Sequence, residues 1–416
     1  MTSEVIKVGV IGVGRGTSFA QSATEAVGLE LVALCDRWQE KLESVGERFG
    51  VATYTDYDEF LDHDMDAVIL ANYFHQHAPF ALKALRAGKH VMSETICNAT
   101  LAEGVELCRT VEETGLTYML AENYPYTAFN QELRRLYREG EIGEVLYAEG
   151  EYNHPHSPEG RLRLTPGTRH WRAWIPSTYY CTHALAPLVY ITDTWPQTVN
   201  ALSIASEALR LQSVKISDIA SVFLCRMDNG AVFRILGTGL PGHSNWYRLH
   251  GHRGGMELAR GGTAYFGTGQ IRVWHEDWDL RGDDVRERTY APEWPEHSEL
   301  AVQAGHGGGD FWTNLHFAEA IRSGKPPFLD VYRGVTTSSV GILAWRSALQ
   351  EGTAVEVPDF RSESKRAAYA DDHWSPDPER AAPGQPPPSI YGFHKPSPEG
   401  LCLARKVWPQ MGYHGD

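Results

Sequence analysis

The apolar run VIKVGVIG, residues 5–12, passes directly into Gly12-Val13-Gly14-Arg15-Gly16 and then into a helix-forming segment. Few local patterns constrain a fold more. Glycines at a strand–helix turn let the backbone bend tightly and approach an anion, which the free N–H groups of the following helix then stabilise. A second apolar run ends at Asp36, 24 residues beyond Gly12, where a carboxylate can accept hydrogen bonds from a ribose. Together these features specify a dinucleotide site. An aspartate at that position repels a 2′-phosphate, so NAD is favoured over NADP, and only the adjacent Arg37 pulls the other way. Strict G-x-G-x-x-G spacing would put the third glycine where Thr17 stands, so Gly16 is displaced by one. A plain tight turn without nucleotide is the structural alternative, and the strand before and helix after argue against it.

The same alternation continues. LELVALCD, AVILAN, HVMSE and TYMLAEN are Val/Ile/Leu-rich as buried parallel strands are, and between them lie helical stretches such as QEKLESVGERFG and APFALKALRAGK, closed by Gly50 and Gly88. This predicts a doubly wound parallel sheet. After Tyr124 the character changes. FNQELRRLYREGEIG is helical, and then VLYAEGEYNH, SVFLCRM, AVFRILGTG and WYRLHGHRGGMEL read as an antiparallel sheet with one covered face. FWTNLHFAEAIRSGK and YRGVTTSSVGILAWRSALQEG return to helix. From about residue 361 the chain is Pro-rich and polar and builds no core alone, but Trp374, Tyr391 and Phe393 favour an ordered strap over a loose tail. The expectation is an α/β chain: a doubly wound parallel domain over 1–124, an α+β domain with an open, mainly antiparallel sheet over 125–360, and an extension over 361–416.

Charge and cysteine usage exclude several functions. A formal net charge of −15 repels phosphates over most of the surface, which argues against nucleic acid or an anionic membrane as partner. The six cysteines form no CxxC pair, so free thiols in a reducing compartment are expected. The chain enters a strand at once, without a charged-then-apolar leader, and no apolar run approaches the roughly 20 residues that span a bilayer. A cytoplasmic protein is expected. His154-Pro155-His156 lacks an acidic or Cys partner at metal-ligand spacing, so no metal is expected.

AVILAN, HQHAPFALKALRAGKHVMSE and the two-domain layout resemble the glucose–fructose oxidoreductase / inositol dehydrogenase / rhizopine catabolism family over residues 5 to about 360. Within it the likeness is greatest to the NAD-dependent glycosidases of glycoside hydrolase family 109. MLAENYPY, YAEGEYNH, HWR, YYCTHALAP, HGGGDF and LDVYRG each resemble a string of that branch. The wider family carries Glu-Lys-Pro where this chain reads Glu94-Thr95-Ile96, and the glycosidase branch also lacks that lysine. Its absence therefore signals different chemistry rather than decay. Cys181, Ala184 and Ala186 depart from the branch near the sugar pocket, where it has a proline and two glycines, and imply a substrate other than an N-acetylgalactosaminide.

The resemblance implies a Rossmann domain followed by an α+β domain whose sheet mediates homo-oligomers (dimer or tetramer), with the sugar bound at the nicotinamide end between the domains. It implies a redox-neutral hydrolysis. Hydride leaves carbon 3 of a glycoside, the ketone acidifies the proton on carbon 2, the aglycone is eliminated from carbon 1, water adds, and the hydride returns. Such a site needs groups that move protons near neutral pH. By residue-for-residue match these are His183, Tyr180, Tyr152 and His154, with His183 taking the hydroxyl proton; Tyr180 can equally be a packing residue. Asn72, His77, Glu94, Glu122 and Asn123 fall on the cofactor side with the glycine turn and Asp36. His306 and Asp310 read as a helix cap. RLRLTPGTRHWR gathers Arg163, Arg169, His170, Trp171 and Arg172, with Arg161 beside them, as a substrate grip suited to an anionic glycoside such as a sulfoquinovoside, unless the loop merely pairs with surface acids. Two other functions fit the cofactor site: a sugar dehydrogenase with net NADH formation, and a non-catalytic protein that senses sugar or nucleotide.

Overall fold

Six short strands form the first sheet, and all but the edge strand read as apolar runs because they are covered on both faces. They are β1 (Ile6–Ile11), β2 (Leu29–Cys35), β3 (Ala52–Tyr54), β4 (Ala67–Leu70), β5 (His90–Ser93) and β6 (Tyr118–Leu120). All pair in parallel in the order β3-β2-β1-β4-β5-β6. The order reverses between β1 and β4, so the carboxyl ends of these two strands open the crevice where doubly wound sheets bind ligands. The glycine turn follows β1 and Asn72 follows β4. Gly50 and Gly88 both adopt positive φ just past the helices Gln39–Phe49 and His77–Arg86. This computed structural model describes residues 5–241, 245–261, 268–282, 285–380 and 384–415.

The chain divides into two compact units. The first comprises residues 5–132, 293–338 and 359–372, and therefore includes the helix Gly309–Ser323 as well as the parallel sheet. The second comprises 133–292, 339–358 and 373–415. It is built on β7 (Val145–Asn153), β8 (Pro196–Ile204), β9 (Ala220–Met227), β10 (Val232–Thr238), β11 (Asn245–Gly251), β12 (Gly254–Leu258), β13 (Ile271–His275), β14 (Glu287–Tyr290) and β15 (Val355–Glu356). Their order is β14-β13-β12-β11-β7-β10-β9-β8-β15, and every pair is antiparallel except β7–β10. The parallel pair arises because the helical connection after β7 precedes the β8–β9–β10 meander, which returns β10 beside β7 in the same direction.

One glycine fixes how a helix lies on this sheet. A Cβ added to Gly150 of β7 would stand 2.1 Å from the carbonyl oxygen of Ala184, so only glycine lets the helix Thr182–Thr192 approach so closely. The hydroxyl of Tyr247, on β11, donates to the His183 carbonyl of the same helix at 2.7 Å.

The extension serves both units. In the first, the buried Arg366 pairs with Glu112 and Glu363. In the second, the helix Pro398–Val407 and Trp408 cover an apolar cluster of Leu162, Ala173 and Val214. Trp408 Nε1 donates to the carbonyls of Leu162 and Thr165, each at 3.1 Å. The strap is real, but two of its expected anchors are not: Tyr391 and Phe393 are about three-quarters exposed, at 75% and 76%. Trp374 does make a contact, under the Arg346 guanidinium.

Candidate active site

Gly12 has φ +96°, and an added Cβ would stand 2.3 Å from the Ala71 carbonyl oxygen, so the turn demands glycine on both counts. Gly16 takes over the close helix–strand contact, since its Cβ would meet Val10 Cγ1 at 2.7 Å. Thr17, in the place of the third glycine, donates its hydroxyl to the Val13 carbonyl. Asp36 accepts from the backbone N–H groups of Val13 and Trp38, one on each carboxylate oxygen, which aims the group beside the turn. Arg37 is exposed. These residues fit a dinucleotide. A Cβ on Gly14 would meet nothing within 4 Å, so the turn faces open space, and the covered side-chain amide of Asn72 has no hydrogen-bond partner on either polar atom.

The remaining cofactor-side residues are engaged in contacts of their own. Arg15 does not simply face the turn. Its Nε donates to Glu94 at 2.8 Å, its two terminal nitrogens grip Asp310 at 2.7 and 3.1 Å, and its plane lies over the Phe19 ring. The fully buried Asp310 also accepts from the Ser18 hydroxyl and the Asn123 amide and meets His306 Nδ1 at 3.0 Å. The Arg15 guanidinium and these donors hold its carboxyl well below the usual carboxylate range against the opposing cost of burial. The expected helix cap is not formed, since Gly308 is the N-cap and no side chain caps the helix; instead the Asp310 carboxylate ties the glycine turn, β5 and β6 to the helix Gly309–Ser323. No single motif announces this, because its members are dispersed along the sequence. Asn123 is engaged in the same network, and Glu122 is buried, with Oε1 3.4 Å from the Tyr124 backbone N–H. His77 is buried as well. Its Nδ1 lies 2.9 Å from the Ile96 carbonyl oxygen, and burial keeps the ring neutral by lowering its pKa, so Nδ1 is the donor and the ring pins the loop after β5.

In the second unit the four proton-transfer candidates converge. Tyr152 and His154 come from the end of β7 and the residue after it, Tyr180 from the short turn Ser177–Tyr180, and His183 from the helix held over Gly150. The Tyr152 and His183 rings are 4.5 Å apart, Tyr180 stacks on Tyr152 at 5.6 Å and meets His183 edge-on at 5.1 Å, and His154 lies 6.0 Å from Tyr152. Trp171 stacks on Tyr180, His170 stacks on Trp171, and His156 stacks on His154 at 4.2 Å. Burial pushes the His154 pKa down to about 4, with His156, His183 and Arg172 adding to the effect, so His154 is neutral at neutral pH.

The arginine-rich stretch divides. His170 caps the turn Trp171–Trp174, its Nδ1 accepting from the Arg172 N–H. Arg172 lies over the Trp171 ring. Arg163 and Arg169 are exposed, and Arg163 reaches Gln410. Arg161 and Arg172 are only partly exposed, and Lys215 joins them, donating to the Arg172 carbonyl at 3.3 Å. Lys215 carries no signature in the sequence that could have marked it.

Residues 6–122 match the model of the Gfo/Idh/MocA oxidoreductase family, NAD-binding Rossmann fold, and residues 215–366 match the C-terminal domain of glycosyl hydrolase 109. The ring cluster lies in the stretch between these two spans. Glycosyl hydrolase family 109 protein 1 of Shewanella sp. (strain ANA-3) is 28% identical over 393 residues, covering 86% of this chain and 85% of that protein. The alpha-N-acetylgalactosaminidase of Shewanella oneidensis is 27% identical over the same length, with the same two coverages. Among solved structures, levoglucosan dehydrogenase in complex with NADH superposes with a TM-score of 0.70 at 21% identity, over 85% of this chain and 99% of that one. An oxidoreductase from Agrobacterium radiobacter in complex with NAD+, L-tartaric acid and magnesium gives 0.68 at 18%, over 85% and 98%. At these identities the structural likeness is one of fold.

Proposed function

We propose, for a chain that joins an NAD-binding Rossmann domain of the Gfo/Idh/MocA oxidoreductases to a C-terminal domain of glycosyl hydrolase 109, that this NAD-dependent glycosidase hydrolyses its substrate by transient oxidation. The observation that carries the reading is the convergence of Tyr152, His154, Tyr180 and His183 in one ring cluster. Bound NAD supplies a reversible hydride acceptor, held by Gly12, Gly14, Gly16, Asp36 and Asn72. The chain's own side chains then handle protons at three atoms. His183 takes the proton of the carbon 3 hydroxyl. Tyr152 or Tyr180, acting as a phenolate, removes the carbon 2 proton, which the neighbouring ketone has acidified, and the aglycone leaves from carbon 1 as its anion, taking a proton from solvent. His154, neutral at neutral pH, is a base and serves the water that adds back. The substrate is an anionic glycoside such as a sulfoquinovoside, a choice supported by the cations beside the ring cluster. The same reading makes the protein cytoplasmic and a homodimer or tetramer assembled through the nine-stranded sheet, which cell fractionation and sedimentation would check.

The test uses substoichiometric NAD+ and a panel of neutral and anionic nitrophenyl glycosides, with aglycone and NADH followed together. Many aglycones per NAD+ without net NADH is the expected result. One NADH for each sugar oxidised would make the protein a plain dehydrogenase. Silence across the panel would favour a binding protein. His183→Ala abolishes turnover and leaves NAD binding intact if the assignment is right.

A further inference from the structure

Three cations in the second unit share one acid, Asp218, where charge held out of water is normally matched. Arg161 lies on the short helix Pro158–Leu164, Arg172 on the turn Trp171–Trp174, and Lys215 in the segment before β9. Each is the sequence neighbour of one member of a single apolar cluster: Leu162, Ala173 and Val214, sealed by Ala404, Val407 and Trp408. That core brings three separate chain segments to one place, and with them their charges. Among the described residues, neither arginine has a carboxylate within ion-pairing reach. Arg161 Nη1 meets only the Leu209 carbonyl, at 3.4 Å, and the Arg172 guanidinium lies 4.0 Å from the Trp171 ring centre. Asp218, the acid that acts on Lys215, already accepts from the Ser203 hydroxyl and the Ile390 backbone N–H.

The three also sense one another and the ring cluster. Burial pushes the Lys215 ammonium down to about 8, with Arg161 and Arg172 adding to the shift and Asp218 opposing it. Burial lowers His156, with Arg161 and Arg172 contributing, and His154 is lowered in part by Arg172. A patch of surplus positive charge therefore adjoins the groups assigned to proton transfer, in a chain whose net charge is −15. Charge held out of water is costly unless it is compensated. An anion supplied by a ligand would compensate it.

We propose that Arg161, Arg172 and Lys215 form a subsite that receives a negatively charged group, a carboxylate or sulfonate, on the sugar of the substrate. The assignment rests on the glycosidase reading for its occupant, but its geometry is independent of the reaction. It also separates the arginines that matter: Arg163 and Arg169, exposed, lie outside the subsite.

Two measurements keep the subsite and the glycosidase distinct. Calorimetry on the NAD-loaded protein compares glucose, glucuronate and sulfoquinovose as ligands, without turnover. Aglycone release from the matching nitrophenyl glycosides reports catalysis. The anionic sugars are expected to bind more tightly than glucose, by about 10- to 100-fold for each charge-assisted contact, and whichever anion binds better identifies the group the subsite reads. Arg161→Gln and Lys215→Met should each remove most of that preference, Lys215→Arg should retain it, and Arg86→Gln, an exposed charge in the first unit, should not alter it. Equal binding of all three sugars, no binding of any, or a preference surviving Arg161→Gln/Lys215→Met would overturn the subsite, whatever aglycone release shows. An anion preference lost in the variants, without aglycone release, would sink the glycosidase and leave the subsite standing. Thermal unfolding of each variant shows whether a lost preference is merely a lost fold.

Discussion

Gly150→Ala tests whether the placement of the helix that carries His183 is set by one missing methyl group. The added Cβ would lie 2.1 Å from the Ala184 carbonyl oxygen, and ordinary van der Waals contact begins at 3.4 Å, so about 1.3 Å must be found. The strand cannot yield. Gly150 is paired to Ile235 of β10 on one side and to Tyr247 of β11 on the other. The helix Thr182–Thr192 must move instead, carrying His183 away from the Tyr152 ring that it meets at 4.5 Å. Overpacking of this kind costs about 1–3 kcal/mol of stability, too little to unfold a chain of this size. Misplacing a reacting group by about 1 Å, by contrast, costs on the order of 100-fold in rate. The expected phenotype is a folded enzyme with kcat for aglycone release down about 100-fold and an unchanged NAD affinity, because the glycine turn belongs to the other unit. Steady-state kinetics at saturating NAD+, nucleotide titration and thermal unfolding check the three parts. A folded Gly150→Ala enzyme with kcat within twofold of the parent would refute the argument that this contact positions His183.

Asp310→Asn leaves the part-buried Arg15 short of its main counter-charge; a loss of about 3–5 kcal/mol is expected, a fall in Tm on the order of 10 °C together with weaker NAD binding. A Tm within 2 °C of the parent would show that the network is dispensable. His154, whose folded pKa lies near 4 against an ordinary 6.5, makes stability depend on pH: below about 6.5 the unfolded chain takes up a proton that the folded chain refuses. Its contribution therefore falls between about pH 6.5 and 4 and levels off below that. Denaturant unfolding across this range should show a shallower decline for His154→Gln than for the parent, and equal slopes would remove the claim that the ring is held neutral. Trp408→Ala deletes a buried indole and two hydrogen bonds, roughly 3–5 kcal/mol of local packing. Limited proteolysis should then cut within residues 397–415 of the variant but spare the parent.

What the sequence revealed follows from how each element is stabilised. Five of the six parallel strands were readable because a strand covered on both faces is a continuous run of Val, Ile and Leu; β3, three residues long at the sheet edge, carries no period to detect. Gly50 marked its helix end because a left-handed residue there favours glycine. The ring cluster was reached through short strings, but its convergence depends on contacts that no string encodes, chiefly the approach of Ala184 to Gly150. Arg161 and Arg163 look equivalent in RLR. Two residues apart on a helix they project about 200° from one another, so one can join Lys215 while the other faces water. Only the fold distinguishes them.

The same logic explains Glu94-Thr95-Ile96-Cys97, where the wider family's lysine is absent. In this chain the segment is held by backbone and by charge. Glu94 accepts from Arg15, the Ile96 carbonyl accepts from His77, and the Cys97 N–H donates to the Ser338 hydroxyl. Thr95 and Ile96 are both buried. A lysine there would bring an ammonium into a crowded, desolvated place, costly without a counter-charge, and the adjacent carboxylate, Glu94, is already engaged by Arg15. The loop has thus become part of the framework behind the dinucleotide turn. If the protein moves protons on a sugar, they must pass through rings instead, and an imidazole beside two phenols can give and take a proton in alternate halves of a redox-neutral cycle. That is a demand a returning hydride imposes and a one-way dehydrogenation does not.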